Sequence, residues 1–126
     1  MVLIFGGAYQ GKLAYALERF SLSENEVHKC SNDDPDPPKS KKIVYEIDKW
    51  IFALIKKNMD VEIEVQNFID ENHDAIVICN DISCGVVPID PMLRQWREAV
   101  GRSLATMSRL SDEVIRLFFG ISTKIK

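Results

Sequence analysis

The stretch that decides the fold is Gly6-Gly7-Ala8-Tyr9-Gln10-Gly11-Lys12-Leu13, which follows the apolar run Val2-Leu3-Ile4-Phe5. Its first seven positions match G-x-x-x-x-G-K, the opening of a phosphate-binding loop. Glycines let successive backbone N–H groups turn inward around an anion, and a helix that follows presents its positive end to the same point. Lys12 then places an ammonium beside the outer phosphates. The context agrees: a strand pattern precedes the loop, and Leu13, Leu17 and Phe20 fall at helical spacing after it. The eighth position departs. Ser or Thr there normally offers a hydroxyl to Mg²⁺, and Leu13 has no oxygen to offer.

Outward from the loop, strand and helix patterns alternate. Residues 25–30 read as a second, weaker strand, and 31–42 (SNDDPDPPKSKK) as an exposed, proline-rich crossing. A short strand at 43–45 leads to helices at 47–57 and 61–72 with apolar residues at helical spacing. Residues 74–81 (DAIVICND) form the plainest buried strand, 85–91 a loop, and 92–110 a long helix striped by Leu93, Trp96, Val100, Leu104 and Met107 as core or subunit interface. A strand at 114–119 ends at Gly120, and 121–125 alternates as an edge strand. Uniformly apolar strands separated by helices predict one α/β domain over residues 1–126, with a mainly parallel sheet covered on both faces.

Composition narrows the partners. Sixteen Lys and Arg against nineteen Asp and Glu leave a net charge of −3, which argues against a nucleic-acid binder. No apolar run reaches the ~20 residues of a membrane span, and the start, MVLIFGG, has no basic flank of a secretory signal. Cys30, Cys79 and Cys84 are odd in number and irregular in spacing, so a reducing cytoplasm is expected rather than a disulfide framework or zinc site.

In parallel α/β sheets ligands gather beyond the carboxyl ends of strands. Two acids fall there: Asp81 at the end of the 74–81 strand, and Glu46 following Ile43-Val44-Tyr45. Either could hold Mg²⁺ or orient a hydroxyl. Asp48 reads instead as a solvated or helix N-terminal charge. His28 and His73 stand alone and read as structural or solvated, Cys79 as a core residue, Cys84 as a loop thiol, and Arg94, Arg97 and Arg102 as a solvated helix face.

Several segments resemble the adenosylcobinamide kinase / adenosylcobinamide-phosphate guanylyltransferase family. Asn80-Asp81-Ile82-Ser83-Cys84-Gly85-Val86-Val87-Pro88 is similar to its N-E-V-G-x-G-I-V-P segment, and Arg94, Arg97 and Gly101-Arg102 to its R-x-F-R-D-x-x-G-R pattern. Asp112-Glu113-Val114 through Gly120-Ile121 to Lys124-Ile125-Lys126 resembles its terminus, Gly6 to Lys12 its G-G-A-R-S-G-K-S loop, and Ile43-Val44-Tyr45-Glu46 its L-L-E-C strand end. The resemblance implies a RecA-like P-loop NTPase fold, a homotrimer, and work in cobalamin assembly. It implies phosphorylation of adenosylcobinamide from a nucleoside triphosphate, GTP or ATP with Mg²⁺, then guanylyl transfer through a histidine.

By position, Gly6, Gly7, Ala8, Tyr9, Gln10, Gly11, Lys12 and Leu13 would hold the nucleotide, with Glu46 and, by looser alignment, Lys29, Cys30 and Ser31. Lys12 and Asp81 would be catalytic, and Asp81 and Glu46 would meet the metal. The family's histidine lies in a longer segment that residues 31–42 replace, and this stretch has none. Guanylyl transfer by the family route is therefore not expected. Two readings remain: a kinase-like enzyme, or an inactive structural or regulatory homologue that keeps the fold.

Overall fold

The computed structural model describes residues 1–8, 10–39, 41–82 and 88–126. Tyr9, Cys84 and most of the glycine-valine segment after Ile82, all named above, lie outside the described residues. The elements run β1 (Val2–Gly6), α1 (Lys12–Arg19), a 3-10 turn (Glu24–Glu26), β2 (Val27–Lys29), β3 (Ile43–Tyr45), α2 (Ile47–Lys56), α3 (Val61–Glu71), β4 (Ile76–Asn80), α4 (Pro91–Leu110), β5 (Glu113–Phe118) and β6 (Ile121–Lys124). They form a mixed α/β fold around one six-stranded sheet in the order β2-β3-β4-β1-β5-β6. Every pairing is parallel except β5 with β6, which is antiparallel and places β6 on the edge.

Strand alternation explains why β1 and β4 carry no polar face. Leu3, Val44, Val77, Cys79 and Val114 pack toward the cluster built from α2, α3 and α4. Ile4, Ile43, Ile76, Ile78 and Ile115 pack on the other side with Ala16, Leu13 and Leu17 of α1. A strand covered on both faces has no position left for a solvated side chain. β1 lies between β4 and β5, with Gly6 in register with Asn80. The ends of β1 and β4 thus meet where the glycine turn begins.

Three expectations change on folding. Residues 24–26 coil into a 3-10 turn, so β2 is only three residues long; short polar side chains in Ser23-Glu24-Asn25 compete with a ladder for the backbone. The 31–42 crossing is exposed over most of its length, yet Pro38 is buried, the Pro35 carbonyl accepts from Trp50 Nε1 at 3.0 Å, and Asp33 pairs with Lys56 at 2.8 Å. It is pinned along α2 by an indole that needs a partner once buried. In α4 the buried stripe is Ala99, Val100, Ser103 and Met107, whereas Leu93 is 38% exposed. Leu93 belongs to the first turn, where Asp90 caps the amides of Met92 and Leu93 and Pro91 opens the helix beyond the edge of the core.

Candidate functional site

The turn after β1 is built around two glycines with different constraints. At Gly6, an added Cβ would stand 2.3 Å from the carbonyl oxygen of Leu117, so β1 and β5 approach too closely there for any side chain. Gly11 sits at the N-cap of α1 with φ 81°, a left-handed conformation natural to glycine. No side chain caps α1, and its first turn holds no acid. The leading amides of the helix therefore have no side-chain cap, and the positive end of the dipole lies behind them.

Lys12 is the first residue of α1 and is only 4% exposed. Its Nζ donates to the Gly7 carbonyl at 2.5 Å, folding the lysine back across the loop. Burial lowers its pKa, and the nearby charges of Asp48, the Cys79 thiol and Glu46 act in the opposite sense.

The opposite wall comes from the ends of β3 and β4. Glu46 links β3 to α2 in a left-handed conformation, φ 59°, which a residue other than glycine adopts at a cost of about 1–2 kcal/mol. Its carboxylate is reached by Lys49 Nζ at 3.2 Å and by Asn80 Nδ2 at 3.4 Å. Asn80 also donates to Asp48 through its backbone N–H at 3.0 Å and its side-chain amide at 3.3 Å. Ala8, Gln10, Lys12, Leu13, Glu46 and Asn80 share a cleft of about 530 Å³ at this carboxyl edge.

Most of the loop residues named from sequence thus converge with Glu46 on one cleft. Gly6 lies buried beneath it, and Gly7 supplies the carbonyl that Lys12 holds. Asp81 is half-buried beside the turn, its backbone N–H donating to the Gly6 carbonyl at 2.8 Å. Lys29, Cys30 and Ser31 line a neighbouring hollow of about 330 Å³, joined to the main cleft through Lys49. Within it the Cys30 thiol is buried and its pKa is pushed up to about 12, chiefly by desolvation, so it is no nucleophile. His28 lies in β2, with its pKa lowered first by desolvation and then by Lys39 and Lys41. His73 lies between α3 and β4, beyond the amino end of that strand. Neither histidine lines the cleft or the hollow. Among the described residues no group of three or more His, Cys, Asp or Glu gathers as a metal cage.

Asp48 differs from its sequence reading. It sits in the first turn of α2 as expected, but it is 2% exposed rather than solvated. Helical spacing held the signal: Asp48, Ile51 and Ile55 lie three and seven residues apart on a buried stripe. The acid fills that stripe because Asn80 satisfies it. Desolvation raises its pKa; the two Asn80 hydrogen bonds oppose this, and the Glu46 charge adds to it. The folded chain therefore holds a proton on Asp48 more tightly than the unfolded chain. This contribution to stability is full below the ordinary carboxylate range and fades as pH rises through the raised folded value. Asp48→Asn should accordingly gain on the parent in urea denaturation as pH climbs from below 3.8 to neutrality. Denaturation curves that stay parallel across that range would refute the assignment.

The family model described as cobinamide kinase / cobinamide phosphate guanyltransferase matches residues 40–125. The bifunctional adenosylcobalamin biosynthesis protein CobU of Salmonella typhimurium is 27% identical over 81 residues, 63% of this chain and 45% of that protein. The match thus spans less than half the length of this relative. The family match takes in the Glu46–Asn80 wall and the β5–β6 hairpin and leaves the glycine turn outside. With more than half of its length matched by the family model, the chain belongs to the cobinamide kinase / cobinamide phosphate guanyltransferase family.

Proposed function

We propose that the chain is a RecA-like P-loop domain that binds a nucleoside triphosphate, GTP or ATP, in the cleft between the glycine turn and Glu46. The observation that carries this reading is the pairing of an uncapped helix start with a buried lysine on one cleft. The strand order, with β4 between β1 and β3, supports the fold class. The phosphates would lie on the amides of the loop and first turn of α1, with Lys12 leaving the Gly7 carbonyl for the outer phosphates.

The family suggests a kinase-like step in cobalamin biosynthesis, with adenosylcobinamide as acceptor. The terminal phosphoryl group would pass to a substrate hydroxyl, breaking its bond to the bridging oxygen. Glu46 or Asp81 would take the hydroxyl proton, and Lys12 would stabilise the transferring group. Magnesium, bound with the nucleotide, would neutralise phosphate charge. A carboxylate and phosphate oxygens suffice as its protein and substrate ligands. Glu46 fits that role from its place on the cleft wall, whereas Leu13 gives the ion no hydroxyl. Guanylyl transfer by the family route would lack its nucleophile in this chain; among the described residues no histidine lines the cleft or the adjoining hollow. Assembly as a homotrimer in the cytoplasm belongs to the same proposal and follows the family resemblance.

Leu13 favours a second reading, in which the domain binds nucleotide without turnover and serves a structural or regulatory role. Isothermal titration with GTP and ATP, each with and without Mg²⁺, tests the first claim: saturable binding is expected, and no heat at millimolar nucleotide would overturn it. Incubation with adenosylcobinamide separates the two readings, because phosphorylated product appears only in the first.

A further inference from the structure

The hairpin between β5 and β6 contradicts its own turn chemistry. Phe118 pairs with Ile121, so the loop is the two residues Phe119 and Gly120. Both have positive φ, 48° and 75°, as a type I′ turn requires. Asn or Gly normally occupies the first of these positions, because any larger side chain there strains the backbone. Here the position holds a phenylalanine, and burial does not compensate it: Phe119 is 73% exposed, and Phe118 beside it 55%. The two rings meet edge to face with centroids 4.4 Å apart, which stiffens the pair without hiding it.

The strained turn is also fastened to the glycine loop. Phe119 N–H donates to the side-chain oxygen of Gln10, and Gly120 N–H donates to the Gln10 carbonyl at 3.3 Å. Gln10 in turn lines the cleft next to Gly11 and Lys12. An exposed aromatic plane is thus tied, through one residue, to the loop that would receive the phosphates. A nucleotide carries its base one sugar away from its phosphates, and aromatic planes stack on bases of any identity.

We propose that Phe119, braced by Phe118, is the platform on which the base of the bound nucleotide stacks. The proposal rests on reading residues 6–12 as the phosphate cradle. It accounts for a costly side chain at a turn that asparagine would stabilise, and for the fastening to Gln10, which a surface used only for association would not need. Stacking on one face reads no hydrogen-bonding edge of the base, so GTP and ATP should both gain from it.

The test is titration of the parent and Phe119→Asn with GTP, ATP and inorganic tripolyphosphate, together with thermal melts and sedimentation. Phe119→Asn suits the turn and should melt no lower than the parent. Its affinity for both nucleotides should fall roughly 10-fold while tripolyphosphate binds as before. Unchanged nucleotide affinity overturns the platform while leaving the phosphate cradle standing. An equal loss for tripolyphosphate overturns it too, by assigning the turn to the shape of the loop. A change of sedimentation with nucleotide affinity intact makes the patch a contact between copies and likewise refutes the platform. If the parent binds neither nucleotide nor tripolyphosphate, the cradle itself fails and the platform with it.

Discussion

Lys12→Ala should bind a nucleoside triphosphate about 100-fold more weakly than the parent, the worth of a buried charge-assisted contact of about 2.7 kcal/mol. The fold should survive the change. The lysine is buried at a desolvation cost, and its hydrogen bond goes to the carbonyl of an exposed loop residue, Gly7, which water can satisfy. Titration calorimetry reads the affinity and a thermal melt reads the fold. Lys12→Arg should not restore binding, because a planar guanidinium does not fit a site closed around an ammonium. Undiminished affinity in Lys12→Ala would remove the phosphates from this turn.

Gly6→Ala should destabilise the protein by about 3 kcal/mol, a loss of roughly 10 °C in melting temperature. The new methyl would press on a backbone oxygen, Leu117 O at 2.3 Å, and neither strand can yield without breaking the pairing of β1 with β5. Gly11→Ala is the contrasting case. Its Cβ meets nothing within 4 Å, so only the left-handed φ resists, at about 1 kcal/mol. Equal effects at the two glycines would show that steric closeness at Gly6 does not set the cost.

The parts legible in the sequence were those a local pattern fixes. The glycine turn announces itself through spacing, and β1 and β4 through apolar runs too short for helices and too uniform for a half-exposed sheet. The gathering of Lys12 and Glu46 was legible because strand ends in a parallel sheet share one edge. Asp48 was not, since its charge pointed outward while its helical stripe pointed inward, and only Asn80 from a distant strand decides between them. The pinning of residues 31–42 was hidden for a similar reason: nothing near Pro35 reveals that Trp50 will need its carbonyl. Phe119-Gly120 carries no Asn-Gly signature, so the sequence shows a strand break followed by an edge and does not reveal how tight the turn between them is.

The placement of β1 at the centre of the sheet bears on how the chain is made. This strand leaves the ribosome ahead of both neighbours, and β5 emerges only after four helices have been translated. Until then one edge of β1 has no ladder partner, and a nascent strand in that condition is bait for chaperones or for sticking to its kind. The close approach of Leu117 to Gly6 likewise forms only once β5 is in place. Truncations that remove the last hairpin should therefore yield insoluble protein rather than a smaller working one.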